Sequence, residues 1–195
     1  AELTTAAAEL GMDARVRVVV LTGAGRSFCA GADLGWMAAQ RDMDAATRSA
    51  EAGRLAAMLG ALNTLPKPLI GRVQGNAFGG GVGMAAVCDV AIGVEGAKMG
   101  FTETRLGIIP ATIGPYVLAR MGEGRVRRVF MSARLFDAAE AVDLGELGDG
   151  GAVGGAAAAL AAAPAALPSV AGDEGPERRD RVVVVLDVAQ RTPRI

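Results

Sequence analysis

Two glycine-containing segments of the sequence could present free main-chain amides to a ligand. Residues 79–81 are all glycine and directly precede an apolar stretch, residues 82–87, that is predicted to be helical. The first amides of a helix have no partner within it, and glycine lets a ligand approach the main chain closely. Residues 30–33, Ala-Gly-Ala-Asp, lead into a second predicted helix, with Asp33 as its N-cap. If both turns face one point, their amides stabilise the oxygen of an enolate formed at an acyl group.

The glycine cluster alone also fits a simpler interpretation, which is a tight turn that brings a helix close to a strand. This alternative stays open on the residues alone. The glycines are contiguous and therefore fit poorly the G-x-G-x-x-G spacing of a dinucleotide site. The G-K-[ST] ending of a phosphate-binding P-loop is absent.

The sequence contains no histidine, and this excludes several catalytic mechanisms. Neither a Ser-His-Asp triad nor a Cys-His pair can form, and a zinc site with histidine ligands is impossible. Proton transfer near neutral pH must fall to a carboxylate with a raised pKa, a lysine with a lowered pKa, a tyrosine or a thiol. Carboxylates lead this search because the other candidates are few: Lys67, Lys98, Tyr116, Cys29 and Cys88.

Composition predicts one domain that acts on a small molecule or on copies of itself. The 195 residues are 51% hydrophobic and carry a net charge of −1, with acids and bases interspersed, so nothing favours binding to nucleic acid or to a membrane surface. The longest apolar runs fall short of a bilayer span, and the first ten residues lack the features of a secretory signal. Two cysteines make no disulfide framework, and we expect a cytoplasmic protein.

The elements that position these segments alternate between strands and helices. Such alternation, followed by helices alone, predicts an α/β core with a helical C-terminal region. Residues 145–195 are mostly Ala, Gly and Val, and no function is assigned to them. The predicted strands are residues 16–21, 69–73, 89–94 and 98–101; the predicted helices are residues 1–10 (closed by Gly11), 34–41, 44–62, 82–87, 114–120, 125–132 and one that begins after Asp137; residues 22–26 and 75–81 are predicted turns, and residues 156–163 are a candidate short helix.

Three motifs resemble those of the enoyl-CoA hydratase/isomerase (crotonase) family, in the same order and spacing. They are residues 27–34, residues 73–81 followed by Cys88 and Asp89, and residues 103–110. The resemblance covers residues 16–144. It implies a crotonase-like spiral of strand–strand–helix units in residues 1–144, without the family's N-terminal strand, and an atypical region in residues 145–195. It also implies a homotrimer or homohexamer, no metal and no bound cofactor, with coenzyme A arriving as part of the substrate.

The resemblance also implies roles for particular residues. The amides of Ala32 and Gly80 would bind the enolate oxygen, and Glu103 matches the family's second catalytic glutamate. The segment that includes Ser27 and Ala30 would contact coenzyme A. The further substrate contacts implied are Cys29, Asp33, Leu34, Phe78, Gly79, Gly83 and Pro110.

One departure from the family pattern leaves the reaction open. Hydratases with two catalytic glutamates carry the first at the position of Gly83, and the remaining motifs are similar to those of methylglutaconyl-CoA hydratase-like members. We expect hydration of a 2-enoyl-CoA, and a branched glutaconyl-CoA is the candidate substrate. The carboxylate of such a substrate could pair with Arg105. The alternative role of Arg105 is a surface or subunit-contact arginine. There are two alternative functions. One is double-bond isomerisation, and the other is that of a non-catalytic CoA-thioester-binding or oligomeric subunit.

Overall fold

The structure, a computed structural model, describes residues 2–148 and 182–187 of the chain. Within these residues the chain alternates short strands with helices, and two 3₁₀ turns, Gln40–Asp42 and Glu103–Leu106, interrupt the loops. The helices are α1 (Glu2–Met12), α2 (Leu34–Ala39), α3 (Ala45–Asn63), α4 (Gly80–Ala86), α5 (Gly114–Met121), α6 (Glu123–Phe130) and α7 (Ala138–Asp143). The strands are β1 (Val16–Thr22), β2 (Ser27–Cys29), β3 (Leu69–Val73), β4 (Asn76–Phe78), β5 (Val90–Gly93), β6 (Lys98–Gly100), β7 (Leu135–Asp137) and β8 (Val182–Asp187).

The strands form two four-stranded sheets. The first has the order β5-β3-β1-β8 and its pairs are all parallel. The second has the order β2-β4-β6-β7, in which only the β6–β7 pair is antiparallel. β1 is an almost continuous apolar run because a parallel strand in the middle of a sheet is covered on both faces.

Successive strands alternate between the two sheets, which produces the spiral that the motifs predicted. β1, β3 and β5 lie in the first sheet, and each is followed by a strand of the second sheet, β2, β4 or β6. A helix or 3₁₀ turn then leads back toward the next pair. The second strand of each unit therefore ends on the same side of the molecule, where a turn starts the next element.

The core lies between the sheets and the helices. Leu59 and Leu62 of α3 pack there with Phe28 and Phe101, and all four side chains are fully buried. Each buries apolar surface that contributes roughly 1.5–3 kcal/mol to folding. α4 is buried on every side from its second residue onward, so it carries small and apolar residues all round instead of one apolar stripe.

Arg120 fastens α5 to the end of α4 and to the chain after α7. Its Nε donates to the Glu146 carbonyl at 2.8 Å, and its Nη1 donates to the carbonyl of Cys88. The Glu146 side chain is fully buried, and neither carboxylate oxygen has a hydrogen-bond partner among the described residues. Burial raises the pKa of Glu146 to about 8, and the nearby Arg120 charge offsets only part of this effect.

The predicted elements that fall within the described residues are present, with several differences. α1 continues through Gly11 to Met12 and does not end at Gly11. β2, β4 and β7 were not predicted, and β4 lies inside the segment taken as a continuous turn. The C-terminal region is not helical throughout, because β7 interrupts it.

Residues beyond 144 take part in the fold where the structure describes them. Leu147 is buried, the Gly148 amide donates to Ala91 at 2.8 Å, and β8 adds a strand beside β1. A boundary at residue 144 stays a prediction. The candidate helix over residues 156–163 lies outside the described residues.

Candidate functional site

The first turn of the site joins β4 to α4. Gly79 has φ +52° and ψ −117°, a backbone conformation that is essentially restricted to glycine. Its own amide is engaged, since it donates to Gly100 at 2.9 Å. The amide of Gly80, the first residue of α4, donates to no main-chain group of the described residues. A Cβ placed on Gly80 would meet no atom within 4 Å, so there is open space beside the Gly80 Cα.

The second turn follows β2 and lies directly against the first. β2 and β4 are parallel neighbours, with Cys29 opposite Ala77. A Cβ on Gly31 would stand 3.4 Å from the Phe78 carbonyl oxygen, and a Cβ on Gly81 would stand 2.8 Å from Cys29. The parallel pairing therefore brings together the two turns that the sequence predicted as amide donors.

Ala32 lies in this second turn, just before α2. Its amide, like that of Gly80, has no main-chain partner in residues 2–148 or 182–187. The next residue is the N-cap of α2, as predicted, because Asp33 accepts a hydrogen bond from the Trp36 amide at 2.7 Å. The cap fixes the conformation of the chain on the C-terminal side of Ala32.

Glu103 begins the 3₁₀ turn Glu103–Leu106, which is named the Glu103 turn below. Its Oε1 stands 2.9 Å from the position of a Cβ on Gly79, so a side chain at position 79 would displace the carboxylate. Oε2 is buried and accepts no hydrogen bond within the described part of the chain. Half-burial raises the pKa of Glu103, which suits a group that exchanges protons near neutral pH.

Gly83 lies inside α4 and is fully buried against Ile113. A Cβ on Gly83 would stand 2.5 Å from the Ile113 Cβ and closer still to one of its methyl carbons. Real side chains do not approach so closely, and Ile113 is itself buried. The packing therefore leaves no room for a carboxylate at position 83, and Glu103 is the carboxylate beside the amide turns.

Comparison with known proteins identifies the chain's family. A sequence profile described as enoyl-CoA hydratase/isomerase matches residues 1–147. The chain belongs to this family. The enoyl-CoA hydratase AKT6-1 of Alternaria alternata is 34% identical over 132 residues, which are 68% of this chain and 42% of that protein.

Solved structures of enoyl-CoA hydratase/isomerase relatives confirm the predicted α/β spiral. An enoyl-CoA hydratase from Shewanella pealeana has a TM-score of 0.74 and 36% identity, over 82% of this chain and 62% of its own. Pseudomonas aeruginosa AtuE has a TM-score of 0.73 and 39% identity, over 75% and 57%. The chain spans about half the length of curated relatives that it matches, 54% for a Thermus thermophilus protein and 52% for one from Bacillus subtilis.

In this member of the enoyl-CoA hydratase/isomerase family, Gln74 holds the loop that leads to β2. Its Oε1 accepts from the Gly23 amide at 3.1 Å and from the Thr22 hydroxyl at 3.2 Å. Its Nε2 donates to the carbonyls of Gly25 at 3.1 Å and Ser27 at 3.0 Å. All four hydrogen-bonding positions of the amide are used. Sequence analysis missed this role, since the partners lie about fifty residues away in the chain.

Most of the other residues implied by the family resemblance lie in or beside the two turns. Phe78 is half-buried at the end of β4, Ala30 is exposed after β2, and Leu34 begins α2. Ser27 and Cys29 are half-buried in β2, and burial raises the pKa of the Cys29 thiol, which disfavours a thiolate. Pro110 is buried ahead of α5, where its carbonyl accepts from the Gly114 amide at 2.8 Å, and its substrate contact stays a prediction.

Cys88 and Asp89, which end the second family motif, take part in the packing of the fold. Cys88 is buried, and burial raises the pKa of its thiol to about 12. Asp89 accepts from the Leu69 amide at 2.7 Å. No helix in the described part of the chain is both long and apolar enough to cross a membrane.

Proposed function

We propose that this site binds an acyl-CoA thioester and adds water to a 2-enoyl-CoA through an enolate. The observation that carries the proposal is the position of Glu103, whose carboxylate faces Gly79 beside the unpaired amides of Gly80 and Ala32. Two amides that converge on a thioester oxygen stabilise the negative charge of the enolate, and each such donor contributes roughly 3–4 kcal/mol to transition-state stabilisation.

The reaction needs one proton acceptor and one proton donor, and Glu103 performs both steps in this proposal. The carboxylate takes a proton from water as the water oxygen bonds to C3 of the enoyl group. The double-bond electrons move to the thioester oxygen, where Ala32 and Gly80 donate to it. Glu103 then gives the proton to C2 as the enolate collapses, which completes the addition of water.

The branched glutaconyl-CoA hypothesis is the finer part of the proposal and rests on the motifs in residues 31–37, 82–84 and 103–115. The suggested pairing of Arg105 with a substrate carboxylate stays part of this finer proposal, because the hydrogen bond from the Arg105 Nη2 to the Ala133 carbonyl at 2.8 Å leaves other guanidinium donors for the substrate. The preference for a linear or a branched enoyl group is therefore measured by assay. Crotonyl-CoA and 3-methylglutaconyl-CoA are offered to the same preparation, and the turnover of each is compared.

The test compares the wild-type chain with Glu103→Gln on both substrates. Loss of the enoyl thioester absorbance measures turnover, and mass spectrometry of the product measures the gain of one water. Glu95→Gln is the matched control, since Glu95 is exposed in the turn between β5 and β6. We expect Glu103→Gln to lose at least about 100-fold in kcat while the control is unchanged. Wild-type turnover by Glu103→Gln would contradict the proposal.

Double-bond isomerisation is the second candidate, and the Gly83–Ile113 contact favours it. An isomerase only moves a proton between two carbons of the substrate, so a single carboxylate suffices. Product mass separates the two reactions, because an isomer keeps the mass of the substrate. Binding of the thioester without turnover, unaffected by Glu103→Gln, would instead indicate a CoA-thioester-binding subunit.

Assembly into a homotrimer or homohexamer is also proposed. Exposed apolar side chains after Glu103 support self-association, since Ile109 is 74% exposed and Leu106 is 57% exposed. Sedimentation of the purified chain at several concentrations measures the assembly. A monomer throughout the range would contradict it.

A further inference from the structure

The two residues after Glu103 both donate hydrogen bonds to the far end of α6 and the turn beyond it. The Thr104 hydroxyl donates to the Phe130 carbonyl at 2.9 Å, and the Arg105 Nη2 donates to the Ala133 carbonyl at 2.8 Å. Phe130 is the last residue of α6, and Ala133 follows in a turn with φ +49°. Neither contact was predicted from the sequence.

These contacts have a physical basis in the end of a helix. The last carbonyls of an α-helix have no partner within it and carry partial negative charge. The Thr104 hydroxyl satisfies one of them, that of Phe130, while the Arg105 guanidinium binds a carbonyl in the turn just beyond the helix and brings a cation near its negative end. The helix end in turn anchors the Glu103 turn through side chains, in addition to the main-chain hydrogen bonds that close the turn itself.

A ring contact fixes the chain just before Glu103 to the same helix end. The Phe101 and Phe130 rings meet edge to face, with centroids 4.5 Å apart, and Phe101 is fully buried. Glu103 therefore lies between two attachments to α6. One is apolar and comes before it, and the other is the polar pair after it.

We propose that Thr104 and Arg105 are positioning residues that hold the Glu103 carboxylate against Gly79. This inference rests on the proposed function of Glu103. The carboxylate stays beside the amide turns because the turn that carries it is fastened to α6 through these two donors. The positioning role requires no contact between either residue and the substrate.

Thr104 and Arg105 could instead serve only to stabilise the end of α6. A matched control variant distinguishes this simpler role from the positioning of Glu103. The Ser132 hydroxyl donates to the Arg128 carbonyl at 2.8 Å, so it also satisfies a carbonyl at this helix end. No hydrogen bond joins Ser132 to the Glu103 turn in the described residues. Ser132→Ala therefore removes a bond of the same kind without releasing Glu103.

The deciding experiment measures the pKa of Glu103 by carbon NMR in protein with ¹³C-labelled glutamate carboxyls, assigned with Glu103→Gln. In Thr104→Val and Arg105→Met, a released turn lets the carboxyl reach water, so the Glu103 pKa should fall toward its ordinary value. Thr104→Ser keeps the hydroxyl and should restore the wild-type titration, and Ser132→Ala should leave it unchanged. Unchanged titration in both released variants, or the same fall in Ser132→Ala, would overturn the proposal.

Turnover gives a second measurement and separates this inference from the proposed function. We expect kcat to fall on the order of 10-fold in Thr104→Val and Arg105→Met, with KM changed less than about twofold, because the reacting group is misplaced while binding is kept. The titration needs no turnover. An inactive wild-type chain would therefore refute the proposed function alone, while the NMR result still decides the positioning role. Either released variant is sufficient if the other fails to fold.

Discussion

Ile113 fills the space into which a side chain at position 83 would project. A Cβ on Gly83 would stand 2.5 Å from the Cβ of Ile113, which is the buried N-cap residue of α5. The absence of a second carboxylate is therefore a property of the packing between α4 and the start of α5. A single substitution at position 83 cannot introduce the second carboxylate, because Ile113 must move as well.

Gly83→Ala should destabilise the chain, whereas alanine elsewhere in a helix is usually favourable. The new methyl group overlaps Ile113, and overpacking of this kind costs about 1–3 kcal/mol. Gly53→Ala in α3 is the control, since a Cβ there would meet nothing within 4 Å and should stabilise the chain by up to about 1 kcal/mol. Denaturant unfolding of both variants measures the difference. Equal stability of the two would show that Ile113 yields without cost.

The pH dependence of turnover should report the raised pKa of Glu103. Burial favours the protonated form, so the carboxylate that accepts a proton from water is lost at a higher pH than for an ordinary glutamate. We expect kcat/KM to fall as the pH drops through a value above 4.5, the ordinary pKa of the group. A pH–rate profile of the wild-type chain measures this limb. An acid limb at or below the ordinary value would argue against Glu103 as the base.

Gln74→Glu should loosen the loop between β1 and β2. The change replaces the Nε2 donor by an oxygen that faces the carbonyls of Gly25 and Ser27, so two hydrogen bonds become repulsive contacts. The free energy of unfolding should fall by about 2–3 kcal/mol, and binding of an acyl-CoA should weaken. Calorimetry and denaturant unfolding measure both effects. Gln40→Glu makes the same change where the side chain has no hydrogen bond to a described residue, and an equal loss there would point to charge alone.

Glu146→Gln should change how stability depends on pH. The folded pKa of about 8 lies above the ordinary value of 4.5, so the stability present below pH 4.5 decreases as the pH rises toward 8 and is constant above it. At about 1.4 kcal/mol per pH unit, the loss is on the order of 4 kcal/mol. Unfolding from pH 5 to pH 9 measures it. The difference in the free energy of unfolding between wild type and Glu146→Gln should grow across this pH range. A constant difference would contradict a Glu146 that is buried and protonated in the folded chain.

Sequence predicted the long elements well because their patterns extend over several residues. β1 and β3 are apolar runs with clear ends, and α3 begins at the Asp44 cap and ends before two prolines. The strands β2, β4 and β7 have three residues each, which is too short for any periodicity. Their existence depends on neighbours in the second sheet, so only the folded chain reveals them.

The site shows the same division between local and distant information. The glycines, Asp33 and Glu103 belong to contiguous motifs, and the structure brings their turns together as predicted. The roles of Gln74 and Thr104 come from hydrogen bonds to residues 49 and 26 positions away. The role suggested for Arg105 stays a prediction, and its hydrogen bond to the Ala133 carbonyl, 28 positions away, could not be predicted from the sequence.

The pairing of β1 with β8 has a consequence for the time course of synthesis. β1 is the first and β8 the last strand that the structure describes, and most of the described core is synthesised between them. At a synthesis rate of roughly 5–20 residues per second, β8 is completed on the order of 10 to 30 s after β1. One edge of β1 is therefore unpaired for that time. During that interval its unpaired amides and carbonyls are open to other strands, so newly made chains are most exposed to mispairing before translation of β8 is complete.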